Sequence, residues 1–209
     1  MSLKSYIRYV DAGHGGWLGW NDNLKPGAAE LAKVYKAAGS PANVRGIATN
    51  VAGWNAWTAT PGEFADAPDG KYNACQDEKR YVTTFGAALK SAGFPSKAIV
   101  DTGRNAIQGL RLEVWSFSLF YCQMLIILKW GDWCNVNGAG FGVRPTTETG
   151  DTNTDAFVWV KPGGESDGTS DTGAVRYDSF CGKEDGSLYW IFPTVQQLLK
   201  KNYSLQARS

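Results

Sequence analysis

The chain has 209 residues, which is long enough for one domain with a substantial core. Its 21 basic and 20 acidic residues balance, so composition argues against a nucleic-acid partner or an anionic membrane surface. Four cysteines without CxxC or Cys/His spacing argue against a zinc site, and one or two disulfides in a secreted protein fit them better. No motif in the sequence predicts a bound metal or a cofactor.

The predicted elements alternate between strands and helices. "YIRYVDAG" predicts a short strand that ends in an Asp before a Gly-rich loop, and "PGAAELAKVYKAAGSP" predicts a helix that starts at its Pro and stops at Gly and Pro. A second strand, a second helix and a third strand follow in "VRGIATNVA", "DEKRYVTTFGAALKSAGFP" and "KAIVDTGR". "DAFVWV" predicts a fourth strand, and "PTVQQLLKKNYS" a C-terminal helix. This order predicts an α/β fold with parallel strands.

Polar residues recur just after the predicted strand ends, at Asp11, His14, Asn50, Asp101, Lys161, Glu165 and Asp167. In parallel α/β folds this edge of the sheet is where sites are built. An isolated Asp is more often a turn residue. "KPGGESDG" is different, because a Lys and two carboxylates follow a strand on one Gly-rich loop: Lys161 could keep one carboxylate ionised while the other acts as a base or electrostatic stabiliser.

The nine tryptophans are unusually many for a chain of this length. Several lie among Gly, Asn and Asp in loop-like sequence, in "GGWLGWNDN", "AGWNAW" and "WGDWCN". Packing in the core is the ordinary explanation for any single Trp. Flat indole faces on polar loops also suit stacking against sugar rings, and carboxylates together with such indoles are the residue types that glycoside hydrolysis needs.

Three motifs resemble glycoside hydrolase family 6, the family of fungal cellobiohydrolases and related endoglucanases. They are "YVDAGHGGWLGW", "WGDWCNVNGAGFGVRPTTETGD" and "DAFVWVKPGGESDGTSD", and the resemblance covers residues 9–113 and 130–181. It implies an inverting β-1,4-glucanase on a distorted (β/α) barrel, with a cellulose or β-1,4-glucan chain as its partner and an extracellular location. We expect a monomer without a membrane partner, although "MSLKSYIRYV" lacks the apolar region of a signal peptide.

The resemblance assigns roles to residues at the matching positions. Asp167 matches the carboxylate proposed as general base, and Asp11 matches an active-site Asp close to the cleaved bond. The positions that match contacts to sugar hydroxyls are His14, Lys161 and Glu165. The positions that match stacking platforms are Trp17, Trp20 and Trp133. The resemblance also implies a disulfide between Cys134 and Cys181. In the alternative interpretation Trp20 only packs and Glu165 only orients Lys161.

Two departures from the family bear on activity. The family has its general acid in the half of the barrel that precedes "YVDAGH", and no part of this sequence matches that half. Inversion needs two carboxyl groups roughly 6.5–9.5 Å apart, so we expect an N-terminally incomplete barrel that is inactive by itself. Gly53 also stands where the family usually has Asn, which removes one sugar contact or moves it to Trp54 or Asn55.

Two other function classes remain as alternatives. One is a non-catalytic glucan-binding fragment or pseudoenzyme. The other is an α/β hydrolase or carbohydrate esterase, which would need a Ser nucleophile near His14 that no motif supplies.

Residues 114–129 form an apolar insertion without a counterpart in the family. The run is shorter than the roughly 20 residues of a membrane span and has no amphipathic stripe. Without it, "GRNAIQGLRLE" would join "WGDWCN" directly, as the family has it. Val codons begin with GT and one Lys codon ends in AG, so we expect a retained intron. The whole chain is then predicted to be the C-terminal portion of one catalytic domain, interrupted at residues 114–129.

Overall fold

The structure is a computed structural model that describes residues 6–63, 65, 69–106, 140–162, 168–169 and 171–177. The chain divides into two compact units, Met1–Thr102 with Arg144–Val160, and Gly103–Val143 with Lys161–Ser209. The predicted insertion and the predicted C-terminal helix lie outside the described residues. In the part that is described, we find no helix with both the length and the apolar character needed to cross a bilayer.

The first unit is built on a four-stranded parallel sheet. Its strands are β1 (Arg8–Asp11), β2 (Val44–Thr49), β3 (Lys97–Asp101) and β4 (Thr154–Val158), and they lie side by side in chain order. Each neighbouring pair is parallel, so all four strands end at the same edge. The predicted parallel α/β fold is confirmed for this unit.

Among the described residues, three helices and one short 3-10 turn connect β1 to β2 and β2 to β3. They are α1 (Gly15–Leu18), α2 (Asn21–Ala37), α3 (Glu78–Ala92) and the turn Gly70–Tyr72. The predicted Gly-rich loop after β1 is present but shorter than expected: it ends at His14, which caps the first turn of "GGWL", and these four residues form α1. The predicted start of α2 is wrong, since the helix begins at Asn21 and contains Pro26. Pro26 is the sixth residue of this helix, so it lacks the N–H that would donate to the Asp22 carbonyl, and its ring crowds that carbonyl.

Helix α3 agrees closely with its prediction. Asp77 caps it, accepting a hydrogen bond from the Arg80 N–H at 2.8 Å. Gly93 ends it in the left-handed conformation, with φ of 87°, where glycine is favoured. Aromatic rings on its inner face, Tyr81 and Phe85, stack with their centroids 5.1 Å apart.

The core lies between the sheet and helices α2 and α3. Small residues of α2 (Ala28 and Ala32) and large residues of α3 pack with Ile47 of β2 and Val100 of β3. Alanines on α2 allow the two helices to approach closely, since they add little bulk at the contact. This packing holds α3 in place. It therefore also fixes the position of the first residue of α3, beneath the loops at the sheet edge.

Side chains of the first and last strands meet directly. The Tyr9 hydroxyl of β1 donates to Asp155 of β4 at 2.7 Å, and Arg45 of β2 contacts both carboxylate oxygens of Asp155, at 2.6 and 2.9 Å. In a flat sheet β1 and β4 would be about 14 Å apart, because neighbouring strands are spaced about 4.8 Å. The contact therefore requires a strongly curved sheet. The Arg45 guanidinium holds the pKa of Asp155 below its ordinary value.

Candidate functional site

The candidate site lies at the carboxyl edge of the sheet, where β1 ends. Asp11 is the last residue of β1, and its side chain is exposed. Its Oδ1 accepts the Gly13 N–H at 2.8 Å, which turns the chain sharply after the strand. Gly13 has a φ of 63°, in the left-handed region that favours glycine. Asp11 thus shapes the turn and also presents a carboxylate at the edge.

His14 is held in one orientation at the start of α1. Its Nδ1 accepts the Gly16 N–H at 3.0 Å and lies 3.1 Å from the Asn55 side-chain nitrogen. The Trp17 ring packs against the imidazole, with centroids 4.6 Å apart and planes inclined by 37°. His14 is half-buried and is the single histidine of the chain.

The two tryptophans of this segment differ in exposure. Trp17 is 55% exposed, although it contacts His14. Trp20 is half-buried, its Nε1 donates to the Gly16 carbonyl at 2.8 Å, and its backbone pairs with Asn73. Trp17 therefore offers a free indole face more readily than Trp20, whose ring nitrogen is used within the fold.

Beneath His14 lies a buried carboxyl, Glu78, the first residue of α3. Its Oε1 accepts the Gly15 N–H at 2.9 Å and the Asn55 side-chain N–H at 2.8 Å. Burial raises its pKa from 4.5 to about 7, although these two hydrogen bonds lower it. The Thr49 hydroxyl lies close enough to the carboxyl to lower its pKa as well. Within the described residues, however, neither the Thr49 hydroxyl oxygen nor Glu78 Oε2 makes a hydrogen bond of good geometry.

Asn50, just after β2, joins the strand ends. Its N–H donates to the Gly13 carbonyl at 2.8 Å, and its side-chain nitrogen donates to the carbonyls of Asn55 and Asp101 at 3.0 and 2.9 Å. Its Oδ1 accepts the Asn55 N–H at 2.9 Å. Asn50 adopts φ of 63°, a conformation that asparagine tolerates better than most residues. The loops around His14 are therefore fixed by side-chain contacts to backbone.

Gly53 packs directly beside His14. A Cβ at this position would lie 2.6 Å from Asn50 Oδ1 and 3.0–3.1 Å from two ring carbons of His14. A larger residue would have to displace one of these side chains. The glycine that departs from the family pattern is thus matched to the local packing of this chain.

The remaining predicted site residues are not all described. Lys161 is half-buried and belongs to the second unit. The predicted residues that lie outside the described part are Asp167, Glu165, Trp133, Cys134 and Cys181. Their assigned roles stay predictions. Asp11, His14 and Trp17 share one turn and one short helix, so the structure brings these three together.

Two residues of the site were missed from the sequence. The sequence indicates Asn55 only as a substitute sugar contact, and it indicates no role for Glu78. Glu is almost never fully buried unless it is paired, so nothing in "DEKRYV" indicates burial. The Asp77 cap marks only where α3 begins, and so places Glu78 at its first position.

The sequence model of glycosyl hydrolases family 6 matches residues 1–189. The chain is 64% identical over 185 residues to 1,4-beta-D-glucan cellobiohydrolase CEL6C of Podospora anserina, covering 88% of this chain and 42% of that protein. It is 49% identical over 187 residues to a probable 1,4-beta-D-glucan cellobiohydrolase C of Neosartorya fischeri, covering 88% of this chain and 37% of that protein. The chain thus spans less than half the length of these relatives.

Solved structures agree with this match. The catalytic core domain of cellobiohydrolase Cel6A from Chaetomium thermophilum superposes with a TM-score of 0.68 at 51% identity, over 88% of this chain and 46% of that one. Cellobiohydrolase II from Humicola insolens was solved in complex with glucose and cellotetraose. It superposes with a TM-score of 0.67 at 48% identity, over 86% of this chain and 44% of that one. By sequence and by fold, the chain belongs to glycosyl hydrolases family 6.

Proposed function

We propose that this chain provides part of a β-1,4-glucan site, and that the longer protein hydrolyses cellulose or cellooligosaccharides with inversion. The observation on which the proposal depends is the exposed Trp17 indole packed against a fixed His14, one turn after the exposed Asp11 carboxylate. An apolar ring face, a hydrogen-bonding imidazole and a carboxylate are the groups that a glucose unit would need on one side.

In this proposal each residue has a separate task. Trp17 stacks on the apolar face of one glucose, His14 hydrogen-bonds a hydroxyl, and Asp11 stabilises positive charge near the cleaved bond. Asp167 activates the attacking water as general base, and Lys161 with Glu165 orients the sugar. A general acid from outside this chain would protonate the leaving oxygen, because inversion requires a second carboxyl group.

Two findings support a glucan site within a barrel. The named relatives are 1,4-beta-D-glucan cellobiohydrolases, and the Humicola insolens structure contains cellotetraose. The direct contact between Tyr9 of β1 and Asp155 of β4 indicates strong curvature, which a closing barrel needs. We therefore propose that the sheet is part of a distorted (β/α) barrel completed by strands from the longer protein.

We further propose that the longer protein is extracellular and monomeric, that Trp20 and Trp133 provide additional stacking surfaces, and that Cys134 pairs with Cys181. Residues 114–129 remain proposed as a retained intron. Transcripts that join codon 113 to codon 130 would support this, and uniformly unspliced transcripts would contradict it.

Calorimetric titration of the 209-residue chain with cellotetraose tests the glucan site. Binding is expected, and Trp17→Ala should weaken it at least about fivefold, since loss of a stacked ring is worth about 1 kcal/mol. The matched control is Val34→Ala, which removes a side chain that is 59% exposed on α2. Absence of binding, or equal affinity for Trp17→Ala and the unaltered chain, would refute the proposal.

For this chain alone, the alternative is a glucan-binding fragment without catalysis. It is favoured because the chain covers only 42% of the Podospora anserina relative. We expect no measurable release of glucose or cellobiose from cellotetraose by the 209-residue chain. Clear turnover that Asp167→Ala abolishes would show instead that the chain contains a complete site.

A further inference from the structure

The tautomer of His14 follows from the donors around it. The Gly16 backbone N–H lies 3.0 Å from Nδ1 and can act only as a donor. Nδ1 must therefore accept, and in the neutral imidazole the proton resides on Nε2. The ring can then offer Nε2–H to an acceptor such as a sugar hydroxyl oxygen.

Asn55 strengthens this arrangement, provided that its amide keeps one orientation. Its nitrogen lies 3.1 Å from His14 Nδ1 and 2.8 Å from Glu78 Oε1. One amide hydrogen can therefore serve Oε1, while the other shares the Nδ1 lone pair with the Gly16 N–H. If the amide were reversed, its oxygen would face both Nδ1 and Oε1, and two acceptor pairs would repel. The carboxyl oxygen therefore decides which way the amide points.

Glu78 also fixes the backbone next to His14. The same Oε1 accepts the Gly15 N–H at 2.9 Å, and Gly15 is the first residue of α1. Helix α1 has only four residues, too few to be stable without such contacts. One buried oxygen thus holds both the peptide after His14 and the amide that faces its ring.

We propose that Glu78 is a positioning residue which, through Asn55 and the Gly15 peptide, keeps His14 in the Nε2–H tautomer as a hydrogen-bond donor to the bound glucan. This role rests on the proposed glucan site, because donation requires a sugar acceptor. A merely structural Glu78 would affect stability without affecting which imidazole nitrogen bears the proton.

The single histidine makes the tautomer directly measurable. Long-range ¹H–¹⁵N spectra of the chain labelled at histidine should give one imidazole, and at pH 8 they should show a protonated Nε2 and an unprotonated Nδ1. Glu78→Gln should preserve this pattern, since a side-chain carbonyl can replace Oε1. Glu78→Leu should lower the ratio of Nε2–H to Nδ1–H about fivefold, which corresponds to one neutral hydrogen bond.

Asn55→Ala provides a second route to the same readout if Glu78→Leu does not fold, because it leaves the carboxyl in place and removes the donor to Nδ1. A similar fall in the ratio is expected. The proposal is overturned if the unaltered chain carries the proton on Nδ1, or if Asn55→Ala leaves the ratio unchanged.

Cellotetraose added to the same samples separates this proposal from the glucan site itself. Glu78→Gln should bind with nearly unaltered affinity, whereas Asn55→Ala should bind several-fold more weakly. A fixed Nε2–H tautomer without cellotetraose binding would overturn the glucan site and leave the tautomer control standing. Binding with the proton on Nδ1 would overturn the role of Glu78 and leave the glucan site standing.

Discussion

Glu78 should make the stability of the folded chain fall as the pH rises. The carboxyl is fully buried, and burial raises its pKa from 4.5 to about 7 despite hydrogen bonds from the Gly15 N–H and the Asn55 amide. Between these two pH values the folded chain retains a proton that the unfolded chain has released. The free energy of unfolding is therefore greatest below about pH 4.5 and decreases as the pH rises through 7.

The size of this effect follows from the two pKa values. Each pH unit between them is worth about 1.4 kcal/mol, so the contribution of Glu78 changes by about 3 kcal/mol between pH 4 and pH 8. That is a large part of the 5–15 kcal/mol by which a typical domain is stable. Glu78→Gln keeps an acceptor at Oε1 and cannot ionise, so it should lack this component.

The assay is urea unfolding of the unaltered chain and of Glu78→Gln at intervals from pH 4 to pH 8. The difference between the two free energies of unfolding removes the other titrating groups, which both proteins share. The free energy of unfolding of Glu78→Gln, minus that of the unaltered chain, should rise by about 3 kcal/mol from pH 4 to pH 8. A difference that stays constant with pH would refute the conclusion that a buried, proton-retaining carboxyl lies at this position.

Three further predictions concern the scaffold. Gly46→Ala should abolish the pairing of β2 with β3, because a Cβ would overlap the Lys97 carbonyl group. The free energy of unfolding, measured in urea, should fall by more than about 3 kcal/mol. Tyr81→Phe should cost about 1–2 kcal/mol by the same assay, since the buried hydroxyl donates to the Ala12 carbonyl at 2.6 Å. Cys75 should resist alkylation by iodoacetamide at pH 8 until the chain unfolds. Burial raises the pKa of its thiol to about 12, and nearby carboxylates contribute less. The thiolate that reacts with iodoacetamide is then about a thousandfold scarcer than in an exposed cysteine.

Matched controls distinguish these effects from general fragility. Gly86→Ala places its Cβ at ordinary contact distance, 3.4 Å from the Ser96 carbonyl oxygen, and should be tolerated. Tyr35→Phe keeps the edge-on contact with Phe94, whose centroid is 5.2 Å away, and should change stability little. Equal losses for Gly46→Ala and Gly86→Ala, or for the two tyrosine variants, would contradict the structural reasons given. Peptide mass spectrometry would show whether Cys75 is alkylated in the folded chain.

The strands and α3 were predictable because their signals are local. "VRGIAT" is a β-prone run and forms β2, while Asp77 and Gly93 mark the two ends of α3 in the sequence itself. Helix α1 was not predictable in this way. Four residues rich in glycine have no helical periodicity. They become helical because the adjacent His14 caps them, and because Asn73 and Glu78 bind their backbone from distant parts of the chain.

The candidate site shows the same division. Asp11, His14 and Trp17 are neighbours in sequence, so a motif was enough to group them. The contact of Asn55 with Glu78 joins residues that are 23 positions apart, and burial of a helix-start Glu depends on packing that no single segment encodes. The site residues on one loop were therefore predictable, whereas the residues that hold that loop were not.

The position of Glu78 makes physical sense as a compromise between stability and a fixed site. An apolar residue there would avoid the cost of burying a carboxyl, but it would leave the Gly15 N–H and an Asn55 amide hydrogen without their acceptor. A glutamine would satisfy both donors without the cost of ionisation. What glutamine cannot guarantee is the orientation of its own amide, because its nitrogen could also turn toward Asn55 and lose the acceptor. An ionised carboxyl offers an acceptor in either rotamer, so above its pKa of about 7 Glu78 determines the direction of the Asn55 amide more strictly.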